Sequence, residues 1–415
     1  MLSTCIIDGF GPLPLVQPRC IAGIGDLIRQ ARGSKQALYP VGGQTKTWLG
    51  NPPTKTGQAI DVSSLAEVID FPARDMTITV QAGITMKALR EILAKENLRL
   101  PIDVAEADKA TLGGVLATNT SGPRRYGYGT PRDYVIGISA LNDEGQEFKA
   151  GGRVVKNVAG YDLCKLLVGS LGTLGIITQV TLKLRPLAEQ QAVIALGCEG
   201  NKLEAMLICL HGSRTRPVSL EVMNRPAAAI VYARADLATP ETPWVVLVGY
   251  EGNADTVSWQ VAQLVKEIAG PCQLDARVDF TALPLCHALC ESSAATGHAV
   301  TFKANLLPNA VAAFCLAAEQ GPLRPALCAH AGNGIVQGKW SADLTNEQAA
   351  SILTAWREQA YSAHGSVIVE CCPSDWKAAL NVWGPPANDA HLMHAVKAKF
   401  DPNGIFNPGR FVDGI

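Results

Sequence analysis

Charge is scarce in this chain. Asp, Glu, Lys and Arg make up only 18% of its 415 residues, and 36 basic against 37 acidic groups leave a formal net charge of −1. A balance so close to neutral gives no electrostatic footing for nucleic acid or an anionic membrane surface. No apolar run approaches the roughly 20 residues of a membrane-spanning helix. Residues 1–14 lack a basic leader before an apolar core, so no secretory signal is expected and a cytoplasmic location is. The 12 cysteines include no Cys-x-x-Cys. Cys286 and Cys290 are separated by three residues and Cys371 and Cys372 are adjacent, and neither spacing suits a zinc or iron–sulfur site. Reduced, buried thiols and no metal are expected.

A Rossmann fingerprint is missing too. Gly169, Gly172 and Gly175 are spaced Gly-x-x-Gly-x-x-Gly, follow the apolar run 163–168 and precede a strand. The Rossmann turn needs Gly-x-Gly-x-x-Gly after a strand and before a helix, so that the helix N-terminus meets the pyrophosphate.

What the chain does hold is a glycine-dense stretch from Thr111 to Pro186, threaded with Ser, Thr and Asn. Glycine lets the backbone approach a ligand closely, and bare N–H groups with hydroxyls suit phosphate oxygens. A length of 415 residues makes two domains the natural division. The 47% hydrophobic content fits either a large core or buried subunit surface. Residues 1–17 look like an irregular lead-in, residues 21–31 a helix with Ile24, Leu27 and Ile28 on one side, and residues 37–39 a strand running into Gly42 and Gly43. Gln44, Thr45 and Lys46 suit a phosphate turn, and equally an ordinary strand–turn with a solvated lysine. Strands are expected at 59–62, 76–80 and 135–141, with a helix capped by Thr85 and a hairpin turn at 142–145. Beyond the glycines, Ile176, Thr178, Val180, Leu182 and Leu184 fall on one face of a strand that Pro186 stops. After residue 187 the glycine-dense texture ends. Strands such as 244–248 then alternate with helices such as 256–268 and 309–318, with breaks at Pro240, Pro271, Pro308 and Pro322.

Four blocks together carry a resemblance: Tyr39-Pro40-Val41-Gly42-Gly43-Gln44-Thr45-Lys46, residues 111–133, residues 152–186, and the tail Phe400-Asp401-Pro402-Asn403-Gly404-Ile405-Phe406-Asn407-Pro408-Gly409-Arg410. The chain resembles the FAD-linked oxidase family with the PCMH-type, or vanillyl-alcohol-oxidase-like, flavin domain, and more closely the FAD-binding E subunits of glycolate oxidase (glycolate dehydrogenase). The resemblance implies an α+β fold: a PCMH-type FAD-binding domain at 1–187, a second α+β cap domain at 188–398 over the flavin's reactive edge, and a tail at 399–415 returning to the first. It implies pyrophosphate contacts from Val41, Gly42, Gly43, Gln44, Thr45 and Lys46. Asp108, Thr111, Gly113, Gly114, Thr118, Ser121 and Gly122 would line the sugar-phosphate and ring. Tyr126, Gly127, Asp133 and Val135 would continue that wall, Gly175, Ile176 and Ile177 would close it, and Asn407 and Arg410 are candidates at the tail. The plainer alternatives are a turn residue for Asp133 and core for Ile177.

Relatives with covalent flavin carry histidine at the place of Gln44, so this chain implies dissociable FAD. For catalysis, His330 in Cys328-Ala329-His330-Ala331-Gly332-Asn333-Gly334 resembles the His-Ala-Gly-Asp-Gly-Asn element of hydroxy-acid dehydrogenase caps, with Asn333 where an acid is expected and no His-x-His before it. Asn157 and Tyr161 are candidates to face the flavin ring. Arg324, Arg357 and Glu370 are weaker candidates, with surface salt-bridging or strand termination as the plainer roles. The implied function is FAD-dependent oxidation of glycolate or another 2-hydroxy acid, with electrons passed to a second flavin subunit and an iron–sulfur subunit. A non-catalytic relay flavoprotein and a free-standing oxidase of another alcohol are the alternatives.

Overall fold

The computed structural model describes residues 3–152, 162–268, 276–279, 283–294, 299–321, 323–340, 344–386 and 388–415. The chain forms two compact units, one of Met1–Ser121, Thr130–Leu187 and Pro385–Ile415, the other of Gly122–Gly129 and Ala188–Gly384.

In the first unit, β1 (Thr4–Ile7), β2 (Phe10–Val16), β3 (Ala37–Val41) and β4 (Gly57–Asp61) form a sheet ordered β1-β2-β4-β3. The expected irregular lead-in is therefore a hairpin. Asp8 and Gly9 both take positive φ (53° and 76°), and Ile7 lies opposite Phe10. An Asp-Gly pair at a tight hairpin turn is the sequence signal that Pro12 and Pro14 obscured. Those prolines are tolerated because β2 meets β4 beyond them, at Leu15 and Val16. The helix α1 (Ile21–Ser34) buries Ile24 and Ile28 against Leu38, Ile60, Ile405 and Phe406, with Leu27 packed beside them. The tail is tied to β3 by main-chain bonds from Leu38 N to Ile405 O (2.7 Å) and from Asn407 N to Leu38 O (3.0 Å).

A second, antiparallel sheet runs β5-β6-β10-β8-β9, from β5 (Val68–Asp70), β6 (Thr77–Gln81), β8 (Val135–Leu141), β9 (Glu147–Gly151) and β10 (Ile176–Lys183); β7 (Leu98–Arg99) and β11 (Arg185–Pro186) make a short ribbon. Thr85 caps the helix α2 (Met86–Ala94) through Ala88 N (3.2 Å), as its sequence implies. The β8–β9 turn closes with Gly145 at φ 71°. On β10 the polar face is more buried than its alternation suggests, since the strand sits between β6 and β8. Thr181 is buried there with its hydroxyl on that of Thr79 (2.9 Å).

The second unit is built on an eight-stranded antiparallel sheet of β12 (Gln190–Cys198), β13 (Ser219–Asn224), β14 (Trp244–Gly252), β15 (Ala276–Asp279), β16 (Val300–Asn305), β17 (Ala326–His330), β18 (Ile335–Trp340) and β19 (Ser366–Cys371), ordered β15-β12-β14-β13-β17-β18-β16-β19. The anticipated helices are present as Ala254–Ile268 and Val311–Gln320. With helices Gly200–His211 and Asn346–Ser362 they cover one face, where Phe302 packs on Trp340 (5.2 Å) and Trp356 (4.8 Å). On the opposite face, helices Arg225–Arg234 and Leu283–Glu291 cover Val193, Met223, Val245 and Leu247. The breaks at Pro271 and Pro322 lie outside the described residues.

Cys5, Cys20, Cys164, Cys315 and Cys328 are free thiols. Burial pushes Cys164 up to about 11 and Cys315 up to about 12, and raises Cys328 well above the usual thiol range, helped by the nearby Glu221 carboxylate. Only the thiolate alkylates at an appreciable rate, so at about pH 8 the exposed Cys20 is expected to label first while these three stay unmodified in the native protein. Peptide mapping after timed iodoacetamide treatment checks this; labelling of Cys315 as fast as Cys20 would refute it.

Candidate functional site

In the first unit, four loops meet at the ends of β3, α2 and the short helix α3 (Leu112–Thr118). The loop after β3 lies directly on the one before α3. An ideal Cβ on Gly42 would stand 2.2 Å from Thr111 Oγ1, and one on Gly43 1.8 Å from Lys109 O. Thr111, itself buried, caps α3 through Gly114 N (3.3 Å), and Gly113 N donates to Ala82 O (2.7 Å). At the other end of α3, Gly169 N and Leu171 N donate to Leu116 O and Ala117 O, both at 2.8 Å. The tail joins through Asn407, whose Nδ2 donates to Leu171 O (2.6 Å).

Two polar atoms in this cluster are buried without a hydrogen-bond partner among the described residues: Asn119 Oδ1, at the left-handed end of α3, and Ser170 Oγ. Neither was singled out as a site residue from sequence. A left-handed Asn after a glycine-rich helix and a Ser between glycines were the available signals.

All but two of the remaining sequence candidates have definite places. Gln44 is exposed, takes φ 56° and accepts from the Cys5 thiol (3.4 Å). Lys46 Nζ stands 5.2 Å from the Trp48 ring centre. Thr45 follows in the same loop, half-buried, and Val41 ends β3, buried. Asp108 is exposed, and Thr118 returns its hydroxyl to Gly114 O (2.8 Å) and Thr120 Oγ1 (2.7 Å). Asp133 caps its own turn through Thr130 N (2.7 Å), the structural role its sequence also allowed. Val135 begins β8; Ile176 and Ile177 are core at the start of β10, where Gly175 (φ 149°) passes close to Leu141 O. Arg410 is buried and donates to Asn51 O (2.8 Å), Thr47 O (2.7 Å) and Leu49 O (2.7 Å). Ser121 closes the segment that belongs to this unit, whereas Gly122, Tyr126 and Gly127 pack with the second. Gly127 N donates to Val218 O (3.0 Å), and the Tyr126 ring lies against Gly332. Asn157 and Tyr161 lie outside the described residues.

In the second unit, the sheet face away from Phe302 carries a polar row. Register places Glu221, His330, Ile335, Asn305 and Ser366 side by side on β13, β17, β18, β16 and β19, and Met223, Cys328, Gln337, Lys303 and Ile368 in the next row. The residues between them, Leu220, Val222, Leu327, Ala329, Val336, Phe302 and Ala304, point into the core. His330 Nδ1 stands 2.7 Å from Glu221 Oε2, both residues being buried. Lys303, half-buried, pairs with Glu370 of β19 at 3.6 Å. Asn333, in the turn after β17, keeps a buried Oδ1 without a partner among the described residues. Of the arginines noted from sequence, Arg357 gives its guanidinium to Val367 O, Leu380 O and Asn381 O, and exposed Arg324 stands 4.0 Å from Glu319. No group of three or more His, Cys, Asp or Glu suited to a metal ion occurs among the described residues.

Two family models match the chain, the second running on through the tail that packs with the first unit. A family model described as FAD binding domain matches residues 12–151, and one described as FAD linked oxidases, C-terminal domain, matches residues 190–411. The chain is 27% identical over 418 residues to the glycolate oxidase subunit GlcD of Bacillus subtilis (strain 168), covering 96% of this chain and 88% of that one. It is 34% identical over 180 residues to the glycolate oxidase subunit GlcE of Escherichia coli (strain K12), covering 43% of this chain and 50% of GlcE. It is 30% identical over 216 residues to a D-lactate dehydrogenase of Archaeoglobus fulgidus, covering 52% and 48%. Among solved structures, p-cresol methylhydroxylase with substrate bound superposes with a TM-score of 0.72 at 15% identity, covering 95% of this chain and 88% of that one.

Proposed function

From the premise that this chain belongs to the FAD-linked oxidases, an FAD-dependent oxidoreductase of PCMH-type fold, we propose that it oxidises 2-hydroxy acids, glycolate foremost. The polar row of the second unit supports this reading most directly, because it sets a cation and a histidine on one sheet face. A hydroxy acid needs both: a cation for its carboxylate and an acceptor for its hydroxyl proton. Lys303 supplies the first and His330 Nε2 the second. Lys303 escaped the sequence analysis because alternation in residues 300–305 shows that it faces away from the core but not what it faces.

FAD is held by the first unit, and the residues there fit it. Hydroxyls and close-packed glycines of the 42–46 and 111–121 segments suit its diphosphate, and Asn119 Oδ1 and Ser170 Oγ, without a partner among the described residues, offer a polar cofactor hydrogen bonds. Bound FAD supplies the acceptor for the hydride that leaves C2. Gln44 at the turn after β3 supports dissociable cofactor. Asn407 and Arg410 serve by bracing the loops around it. Asn157 and Tyr161 remain candidates for the flavin face. The glycolate oxidase relatives support a second flavin subunit as partner, and an iron–sulfur subunit completes the relay, with the assembly in the cytoplasm.

Anaerobic titration of the FAD-loaded chain with glycolate, D-lactate and D-2-hydroxyglutarate tests the reading. Bleaching of the flavin band by at least one of them is expected. A spectrum that bleaches only after partner chains are added would overturn it in favour of a relay subunit. Within the site, Lys303→Met is expected to raise KM for the hydroxy acid about 10- to 100-fold, the worth of a hydrogen bond to a charged group. Steady-state kinetics check it, with Lys303→Arg recovering part of the loss.

A further inference from the structure

We propose that Glu221 is a positioning residue that fixes the proton of His330 on Nδ1 and so presents Nε2 as the acceptor toward substrate; this rests on the reading of the polar row as the hydroxy-acid site. Glu221 sits in mid-strand in β13, fully buried, where an apolar side chain would pack at no cost in desolvation. Two groups of β17 stand at its Oε2. His330 Nδ1 lies 2.7 Å away, a length typical of a charge-assisted bond, and the Cys328 thiol points to the same oxygen at 4.0 Å. Burial keeps the Cys328 proton on sulfur, so that the thiol donates and Oε2 accepts. A carboxylate oxygen that accepts from the thiol accepts from Nδ1 too, so the neutral imidazole carries its N–H at Nδ1 and its lone pair at Nε2.

The backbone beneath the ring is fixed as well. His330 ends β17 in register with Ile335, and the intervening turn closes on Gly334 at φ 72°. Leu306 N donates to Gly334 O (2.6 Å), and a Cβ on Gly334 would stand 1.9 Å from Leu306 O. The ring is thus held through its carboxylate partner and its main chain together. Nε2 would take the hydroxyl proton, leaving a His330 imidazolium whose charge Glu221 offsets, and bound FAD would accept the hydride from C2 to give the 2-oxo acid.

Histidine-selective nitrogen-15 NMR of the FAD-loaded full chain at about pH 8, where a free imidazole is neutral, reads the tautomer directly, with His330→Gln assigning the signal. A protonated Nδ1 and an unprotonated Nε2 are expected. Glu221→Gln, whose amide can donate to Nδ1, is expected to move the proton to Nε2 and lower kcat about 100-fold, well inside the loss seen when the orienting carboxylate of a serine-protease triad is neutralised. KM and FAD affinity should stay within about twofold, since a tautomer change alters neither the carboxylate site nor the cofactor contacts. Glu221→Asp keeps the acceptor and is expected to retain the Nδ1 proton and part of kcat, which separates positioning from misfolding. A wild-type spectrum with the proton on Nε2 or on both nitrogens overturns the proposal by itself. Full activity in His330→Gln overturns instead the reading of the site on which it rests.

Discussion

Gly43→Ala is expected to abolish retention of FAD while leaving the second unit folded. A Cβ at Gly43 would stand 1.8 Å from Lys109 O, 2.4 Å from Lys109 C and 3.1 Å from Ala110 N, all main-chain atoms. None of them is free to yield. Lys109 N and Ala110 N both donate to Glu106 O (2.9 and 2.8 Å), and Ala110 O accepts from Met86 N (2.9 Å) at the start of α2. One methyl group must therefore displace the whole 42–46 loop by an ångström or more, in the segment proposed to carry the diphosphate. Positioning losses on that scale cost about 100-fold or more, and fluorescence titration of the cofactor-free protein with FAD measures them. Gly33→Ala, a second glycine-to-alanine change, should act in the opposite direction. Gly33 lies within α1 with nothing within 4 Å of its Cβ position, so the change should stabilise by about 0.5–1 kcal/mol through helix propensity alone. Were Gly43→Ala to bind FAD within about threefold of the parent, a difference of well under 1 kcal/mol, the 42–46 loop would not be a cofactor contact.

The contrast between the two glycines shows where sequence is informative and where it stops. Periodicity and capping are local, and they located α1 by Ile24 and Ile28, α2 by Thr85, and the β8–β9 turn by Asn142 and Gly145, because each is decided within a few residues. The N-terminal hairpin was equally local, yet Gly11, Pro12 and Pro14 hid a strand whose pairing is set by Asp8-Gly9. The polar row was not local at all. Glu221, Lys303 and His330 come from strands up to 109 residues apart in sequence (His330 and Glu221), and only the strand order brings them to one face. One trace of it was available. A lone carboxylate inside the run Ser219-Leu220-Glu221-Val222-Met223, every residue of which is buried, is costly unless paired, and so predicts a partner without naming it. Arg357 shows the reverse: surface salt-bridging was its plainer role in sequence, but its donors are given to three main-chain carbonyls.

Arg410 shows the same behaviour in the first unit, and removing it is expected to cost the most stability of any single change considered. Its guanidinium is buried, reaches the carbonyls of Asn51, Thr47 and Leu49, and faces Asp8 Oδ2 at 3.8 Å. Burial pulls its pKa down to about 10, against the attraction of Asp8 and Tyr39, so it is still charged at neutral pH. Arg410→Met removes the donors to three carbonyls and leaves the buried Asp8 carboxylate without this cation. Breaking such a pair from one side typically costs about 3–5 kcal/mol, which chemical denaturation followed by fluorescence measures. Arg410→Lys should fall between the two, because one ammonium cannot span the three acceptors that a planar fork reaches. The loss divides further. If the loss of this cation beside the Asp8 carboxylate is a large part of it, Asp8→Asn combined with Arg410→Met should be more stable than Arg410→Met alone, a non-additivity expected of groups in contact. If the double variant is no better, the cost lies in the loop at 47–51 itself. FAD affinity should then fall with it, since that loop continues directly from the segment around Gly43.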